Sequence, residues 1–262
     1  MFLNKALEYG DLVLLYIDHK RKAIVKLVER GVTGFDKGFV KHDDIVGKSF
    51  GEHVYTNRGH RVYLLEPLLM DYATLISRRT QIVYPKDASL IILLANVKPG
   101  SRVLEAGVGS GHLTTILASI IGDNGRLYGF DIDKDCLETT RSNLEKLNLH
   151  KRVELKLHDI RIDPGLRDLD AVILDIPDPW NALETVLSVL KPSHPLVAFQ
   201  PTMNQVEKTV IAMRKTGCFV DIHVYETLLR ELKVEEGAVR PYTTAISHTG
   251  YIVFGRKIKG GV

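Results

Sequence analysis

The stretch RVLEAGVGSGHLTTILASII, residues 102–121, decides the fold class of this chain. RVLEAG reads as a mostly apolar strand, and HLTTILASII reads as a helix. Between them lie three glycines, Gly107, Gly109 and Gly111, which allow a sharp turn and a close approach of the backbone to a ligand. A strand, a glycine-rich turn and a helix in this order are typical of an α/β fold.

The same alternation continues along the chain after this stretch. Strand-like runs are RLYGFD, RVELKLHD, AVILDI and PLVAFQ, and helix-like runs include KDCLETTRSNLEKLN and NQVEKTVIAMRKTG. This alternation predicts a mostly parallel sheet with helices on both faces. The last two strand-like runs, FVDIHVYETLL and YIVFGRK, have no long helix between them, which predicts one antiparallel strand.

The chain before this region has a different pattern. Short β-type runs such as DLVLLYID, AIVKLV and RVYLLEP are separated by glycine-containing turns, which suggests a small antiparallel barrel or sandwich. We therefore expect a β-rich domain over residues 1–72 and an α/β domain over residues 73–262. Residues 73–98 form its connecting and helical entry segment, where Asp87 is placed to cap a helix that runs through Asn96.

Composition narrows the class of protein. The 262 residues are 45% hydrophobic and 26% charged, with a net charge of +3, as in an ordinary globular protein. We see no apolar run of about 18 residues and no secretory signal, so we expect a cytoplasmic protein with no membrane partner. The two cysteines, Cys136 and Cys218, lack metal-type spacing, so we expect no metal site; reduced thiols are the preferred interpretation, and a disulfide is the alternative that the sequence does not decide.

Polar residues follow every strand of the predicted parallel sheet. In such sheets, ligands bind beyond the carboxyl ends of the strands. The residues at these ends are Glu105, Asp131, Asp159 with His158, Asp175, and Gln200. The predicted architecture therefore gathers several carboxylates along one edge.

Three of these acids together indicate a cofactor. Glu105 precedes the glycines, where it would repel a pyrophosphate but suits a cationic ammonium or sulfonium group. Asp131 is placed to bind both hydroxyls of a ribose, and Asp159 to accept a hydrogen bond from an adenine amino group. Each acid alone has an ordinary explanation such as a helix cap, but this order at successive strand ends favours S-adenosylmethionine. A nicotinamide fingerprint would need its third glycine at His112, and a P-loop at Gly47 would need a glycine at His42.

Four stretches of the sequence resemble one enzyme family. VLEAGVGSGHLT, GFDID, LDIPDPW and the upstream RRTQIVYPKDAS are similar to the TrmI-type tRNA adenine-N1 methyltransferases. The resemblance covers nearly the whole chain, and RRTQIVYPKDA with LDIPDPW is its most specific part. It implies a class I methyltransferase fold with a seven-stranded sheet, S-adenosylmethionine as cofactor, tRNA as partner and a homotetramer. The target would be adenine 58 of the T-loop, and archaeal members also modify adenine 57.

The resemblance also implies roles for individual residues. Asp175 and Tyr84 would be catalytic, and the substrate side would be formed by Tyr84, Phe199, Arg240 and His248. The cofactor residues would be Gln81, Glu105, Gly107, Gly109, Ser110, Gly111, His112, Leu113, Asp131, Asp159 and Asp175.

The chemistry expected of Asp175 follows from the target atom. Adenine N1 carries an in-plane lone pair, so no proton must leave before it attacks the methyl group, and positive charge develops on the base. A fixed carboxylate that accepts from the N6 amino group would orient the ring and stabilise this charge. Pro177 and Pro179 would stiffen the loop that carries the acid.

Several residues have a structural explanation as well as a functional one. Tyr84 lines the base pocket or packs on Pro85, and Phe199 lines the pocket or lies in the core. Trp180 stacks on the base or packs in the core, and the core is favoured. We expect Asp178 to cap a helix and Gln205 to be cofactor-side or structural. The basic residues that would contact tRNA or form solvated surface are Arg78, Arg79, Lys20, Arg21, Lys22, Lys26, Arg58, Arg61 and residues 256–259.

Three other functions compete with the tRNA methyltransferase. One is a methyltransferase for a protein or a small molecule, which LDIPDPW disfavours because an acid beside prolines suits a planar base. Another is a nicotinamide oxidoreductase, which Glu105 disfavours. The last is a non-catalytic RNA-binding protein, which the intact set of acids disfavours.

Overall fold

The computed structural model describes residues 5–76 and 81–260. Its N-terminal part contains six strands, β1 (Leu12–Asp18), β2 (Arg21–Lys26), β3 (Val32–Phe35), β4 (Gly38–Lys41), β5 (His53–Tyr55) and β6 (Arg61–Leu65). Four of them form an antiparallel sheet in the order β2-β1-β6-β5, and β3 pairs with β4 in a separate ribbon. One buried apolar cluster, which includes Leu15, Val40 and Val62, joins the sheet to the ribbon.

The rest of the chain alternates between helices and strands. Its helices are α1 (Leu69–Leu75), α2 (Pro85–Leu94), α3 (His112–Ile121), α4 (Lys134–Lys146), α5 (Leu183–Val189) and α6 (Met203–Lys215). Its strands are β7 (Arg102–Ala106), β8 (Arg126–Asp131), β9 (Val153–Leu157), β10 (Ala171–Leu174), β11 (Pro195–Gln200), β12 (Phe219–Glu226), β13 (Leu232–Glu235), β14 (Ala238–Pro241) and β15 (Tyr251–Lys257). Within the described ranges, none of these helices has the length and apolar character needed to span a bilayer.

Seven strands form the central sheet in the order β12-β15-β11-β10-β7-β8-β9. β15 pairs antiparallel with both of its neighbours, while β7 to β11 pair parallel with one another. The predicted fold class, a mostly parallel seven-stranded sheet with one antiparallel strand, is therefore confirmed.

Helices cover both faces of the sheet, and its central strand β10 is apolar at every position. All four residues of β10 are buried, and they alternate between two clusters. Ala171 and Ile173 pack with α2, α3 and α4, while Val172 and Leu174 pack with α5 and α6. Successive side chains of a strand point to opposite faces, so β10 packs against helices on both faces of the sheet.

The structure corrects two boundaries. Helix α2 begins at Pro85 rather than after Asp87, because proline fits the first helical position, where its missing N–H has no partner to lose. Asp87 therefore lies in the first turn, and its side chain is buried. Strand β12 ends at Glu226 and does not reach Leu229, and the sequence analysis missed the β13–β14 ribbon, whose turn contains Gly237 with a φ of 69°.

Candidate active site

The glycine loop after β7 lies against the strand end that carries Asp175. The Asp175 backbone N–H donates to the Ala106 carbonyl at 2.8 Å. Gly107 has a φ of 85°, and a Cβ at this position would lie 2.0 Å from the Asp175 carbonyl oxygen. Only glycine therefore allows the loop and the acidic strand end to approach this closely.

A cavity of about 330 Å³ opens at this edge of the sheet. Phe130, Ile132, Cys136 and Ile176 form much of its apolar wall. A small inner pocket of about 20 Å³ lies behind the glycine loop. Ten of the eleven residues predicted to bind the cofactor line one of the two spaces: Gln81, Glu105, Gly107, Gly109, Ser110, His112, Leu113, Asp131, Asp159 and Asp175.

Gly111, the eleventh predicted cofactor residue, lines neither space. It precedes helix α3 with a φ of 82°, and a Cβ there would lie 2.9 Å from the Thr140 hydroxyl oxygen. Its place is explained by the close packing of the turn on helix α4. Helix α3 begins beside the cavity without a side-chain cap, so its first N–H groups are directed toward this region.

Glu105 lies in the inner pocket and is 1% exposed. Its Oε2 atom has no hydrogen-bond partner within the described ranges. Burial, opposed by the Thr114 hydroxyl and supported by the charges of Asp175 and Asp131, raises the pKa of this carboxyl to about 8. A buried carboxylate without a partner is unfavourable, so this position is suited to a cationic ligand group.

Asp131 ends β8 and faces the main cavity. Its Oδ2 accepts from the Gly109 N–H at 3.0 Å, and its Oδ1 accepts from the Asp133 N–H at 2.9 Å. These bonds fix the carboxylate against the glycine loop, while each oxygen keeps a further lone pair. Both oxygens can therefore accept hydroxyl groups of a ligand, as the ribose prediction requires.

Asp175 lies where the main cavity meets the inner pocket. Burial raises the pKa of its carboxyl to about 7, and the charge of Asp131 adds to this effect. A cation bound in the cavity would favour the ionised forms of both Asp175 and Glu105 and lower their pKa values. The site thus holds carboxyl groups that ionise fully when a positive ligand arrives.

Asp159 is held by a residue that the sequence analysis did not identify. Arg161 donates to both carboxylate oxygens, with its Nη2 2.6 Å from Oδ2 and its Nε 2.9 Å from Oδ1. These bonds hold the pKa of Asp159 below its usual range. The Arg161 Nη1 also donates to Asp178 at 3.0 Å, so the guanidinium bridges the ends of two strands. Its position two residues after Asp159 was the available signal.

Three provisional assignments after β10 change. Asp178 precedes a short 3₁₀ turn but does not cap it, since its carboxylate binds Arg161 and the Asn181 side chain instead. Gln205 is structural, because its amide donates to the Pro177 carbonyl at 2.9 Å. Trp180 is only partly buried and lies under the Lys208 ammonium, 5.2 Å from the ring centre, rather than in the core.

The predicted substrate residues lie outside both spaces. Tyr84 is the residue before helix α2 and is partly buried. Phe199 is buried in the core, where its ring packs directly against Gly250. His248 lies at the surface between Glu226 and Pro201, and Arg240 is exposed on β14. Their assignment to the substrate stays a prediction, as does that of Arg78 and Arg79, which lie outside the described residues.

Known proteins share this sequence family and this architecture. The family model described as "tRNA methyltransferase complex GCD14 subunit" matches residues 60–239. This chain belongs to that family. A relative from Methanocaldococcus jannaschii, named tRNA (adenine(57)-N(1)/adenine(58)-N(1))-methyltransferase TrmI, is 34% identical over 90% of this chain and 91% of its own.

Two solved structures are similar over nearly their full length. The tRNA (m1A58) methyltransferase TrmI from Aquifex aeolicus is 31% identical, with a TM-score of 0.80 over 98% of this chain and all of its own. A protein from Thermotoga maritima, titled a SAM-dependent O-methyltransferase, is 33% identical, with a TM-score of 0.87 over 97% of this chain and 96% of its own. This chain thus has the same fold as both of these methyltransferase structures along nearly its whole length.

No group of three or more candidate metal ligands occurs in residues 5–76 and 81–260. In the same ranges, neither Cys136 nor Cys218 forms a disulfide. The carboxylates of the site are instead directed at the cavity and at the glycine loop.

Proposed function

We propose that this protein transfers a methyl group from S-adenosylmethionine to N1 of adenine 58 in the T-loop of tRNA, with adenine 57 as a second candidate target. The observation that carries the proposal is the meeting of Glu105, Asp131 and Asp175 around one glycine loop. Membership of the tRNA methyltransferase family supports it. A tRNA substrate would place the protein in the cytoplasm.

The residues around the two spaces fit S-adenosylmethionine. The Glu105 carboxylate, whose Oε2 lacks a partner within the described ranges, suits the ammonium group; the uncapped start of helix α3 suits the carboxylate, and Asp131 suits the ribose. When bound, this cofactor supplies an electrophilic methyl group on a sulfonium centre. Asp159, which lines the main cavity, remains the proposed acceptor for the amino group of the cofactor's adenine, and it would act there together with Arg161.

Asp175 acts on the target base. Its carboxylate accepts a hydrogen bond from the N6 amino group of adenine, which turns N1 toward the cavity and stabilises the positive charge that develops on the ring. No general base is needed, because N1 attacks through a free lone pair. Gln205 keeps the loop in place through the Pro177 carbonyl, and holding the reacting atoms in line contributes several kcal/mol to catalysis.

The tRNA must meet a positive surface. Arg21 pairs with Asp18 and Asp36, Lys22 pairs with Asp71, and the Lys257 ammonium donates to two backbone carbonyls. These groups are less available for phosphates. We assign the phosphate contacts to Lys20, Lys26, Arg58, Arg61, Arg256 and Lys259, which pair with no carboxylate within residues 5–76 and 81–260. The exposed Lys26 and Arg256 side chains donate only to the neutral Asn148 and Ser193, and Arg78 and Arg79 lie outside the described residues.

We also propose that the protein assembles as a homotetramer. The segment between β12 and β15 exposes large apolar side chains, among them Leu228 at 75% and Val234 at 73% exposure. An apolar surface of this kind is typical of a protein interface. Light scattering after size exclusion measures the assembly, and Val234→Glu should lower the mass if this segment joins the subunits.

The function is tested with an unmodified tRNA transcript and labelled S-adenosylmethionine. We expect a reverse-transcription stop at the T-loop adenine with the wild-type protein, because N1 methylation blocks the pairing edge. Asp175→Ala should remove the stop while leaving the protein folded. Label transfer without a T-loop stop would refute the substrate, and methylation of a hydroxyl group would favour the chemistry named for the Thermotoga maritima protein.

A further inference from the structure

A buried polar network joins the start of helix α2 to both ends of the segment between β12 and β15. The side chain of Lys86 is 7% exposed and that of Asp87 is fully buried, and the two form an ion pair at 2.9 Å. Adjacent residues of a helix do not normally face each other. The Lys86 side chain must therefore fold back on its own helix to reach this carboxylate.

Two threonine hydroxyl groups complete the network. The Thr249 hydroxyl donates to Asp87 Oδ2 at 2.6 Å and accepts from the Lys86 ammonium at 2.5 Å. The Thr227 hydroxyl donates to the other oxygen, Asp87 Oδ1, and accepts from Lys86 at 3.0 Å. Lys86 also donates to the Thr227 carbonyl at 2.9 Å. The Lys86 ammonium and the Asp87 carboxylate are thus surrounded by hydrogen-bond partners and have little access to solvent.

The predicted substrate residues lie next to members of this network. Tyr84 directly precedes helix α2, and its carbonyl accepts from the Asp87 N–H at 2.9 Å. His248 is adjacent to Thr249 in the chain. On the other side of Thr249, Gly250 lies against the ring of Phe199, where a Cβ would be only 2.4 Å from the Phe199 Cζ. Three chain segments that are far apart in sequence therefore meet at one ion pair.

His248 adds a second set of contacts at the same place. Its Nδ1 lies 2.7 Å from Glu226, the residue before Thr227, and its Nε2 lies 3.1 Å from the Pro201 carbonyl, just after β11. The bond to Glu226 raises the pKa of His248, so that the ring donates to both acceptors over a wider pH range. This pair reinforces the link between the ends of β11, β12 and the segment before β15.

We propose that Lys86 and Asp87 are positioning residues that hold Tyr84, Phe199 and His248 in a single arrangement around the target adenine. The inference rests on the proposed function, because it assigns these three residues to the base. A buried ion pair is weak evidence for stability, since apolar replacements often cost nothing. Fixing the relative position of three segments is a better explanation of the network than a contribution to folding.

The test uses two substitutions at one position. Thr249→Val keeps the shape of the side chain but removes both hydroxyl hydrogen bonds, and Thr249→Ser keeps the hydroxyl. The measured quantities are kcat and KM for the tRNA transcript, and the Kd for S-adenosylhomocysteine by calorimetry. A small misplacement of reacting groups costs on the order of 100-fold in rate.

For Thr249→Val we expect kcat at saturating tRNA to fall at least about tenfold, with the cofactor-site Kd and the number of binding sites unchanged. Thr249→Ser should stay within about threefold of wild type. The pair Thr227→Val and Thr227→Ser should behave in the same way. Thr216→Val is the matched control, because that hydroxyl also makes two hydrogen bonds, donating to the Met213 carbonyl and accepting from the Cys218 N–H, at the end of helix α6 and outside this network.

Three results would overturn the inference. The first is that both valine variants keep the wild-type kcat, and the second is that serine and valine impair the enzyme equally. A parallel loss of cofactor sites would also overturn it, because that loss indicates damaged folding. If the wild-type protein binds the cofactor but methylates no tRNA, the proposed function fails first, and this inference fails with it.

Discussion

Replacing Glu105 by glutamine should make the ligand-free protein more stable at alkaline pH while removing its affinity for the cofactor. Glu105 is buried, and burial raises the pKa of its carboxyl to about 8 from an ordinary value of 4.5. Below pH 4.5 the carboxyl is neutral in both the folded and the unfolded chain. As the pH rises toward 8, the unfolded chain releases the proton first, so the free energy of unfolding decreases.

The size of this effect follows from the two pKa values. Each pKa unit corresponds to about 1.4 kcal/mol, so the folded protein loses up to about 5 kcal/mol of stability between pH 4.5 and pH 8 through this group. Glutamine carries no charge at any pH, so the variant does not lose this stability. Its own unpartnered amide costs about 1–3 kcal/mol, which leaves a gain of a few kcal/mol at pH 9 and none at pH 5.

The measurement is a series of thermal melts from pH 5 to pH 9, with and without S-adenosylmethionine. For a chain of this size, a change of 1 kcal/mol moves the melting temperature by roughly 2–4 °C, so the expected gain at pH 9 is several degrees. The ligand should stabilise the wild type but not the variant. Glu207→Gln, on the exposed face of helix α6, is the control and should change neither curve.

The reasoning is refuted if the Glu105→Gln variant loses stability with rising pH as steeply as the wild type. That result would mean that Glu105 is already ionised in the ligand-free protein. A variant that still binds the cofactor with wild-type affinity would refute the second half, which assigns the ammonium group to this carboxylate. In the wild type, we expect cofactor binding to tighten as the pH approaches 8, because binding releases the proton.

Two further substitutions test the geometry of the site. Gly107→Ala should lower the free energy of unfolding by about 2–4 kcal/mol and abolish the thermal shift caused by the cofactor, because its Cβ would collide with the Asp175 carbonyl. The control is Gly165→Ala, a position that also has a positive φ but open space around it. This control should lower the free energy of unfolding by about 1–2 kcal/mol and keep the shift. Gln205→Ala should lower kcat for tRNA about fivefold or more with an unchanged cofactor Kd, because the Pro177 carbonyl loses its donor; equal losses in kcat and in cofactor affinity would contradict this role.

The central sheet was predictable because its signal is local. The run AVIL before Asp175 is buried on both faces, and the glycines after Glu105 allow the tight turn that follows β7. The parallel strands follow from the alternation of strands and helices, and the antiparallel strand follows from the missing long helix between the last two strand-like runs. The cavity at the strand ends was predictable for the same reason, since the fold brings these ends together.

The substrate side was harder to predict because its contacts join distant segments. Nothing local shows that Lys86 reaches Thr249, or that the Phe199 ring packs on Gly250. The role of Arg161 was missed, because its second partner, Asp178, lies in another loop. The β13–β14 ribbon was missed since its strands have charged residues and little burial, so the usual apolar signal is weak.

The position of β15 between β11 and β12 has a consequence for synthesis on the ribosome. β12 ends at Glu226, but the strand that connects it to the sheet begins only at Tyr251. Because translation proceeds at about 5–20 residues per second, β12 remains without its neighbouring strand β15 for roughly 1–5 s after its own synthesis. During this interval β11, which is fully buried in the folded protein, has an open edge that other chains can pair with. The nascent chain is therefore most prone to aggregation just before its last strand arrives.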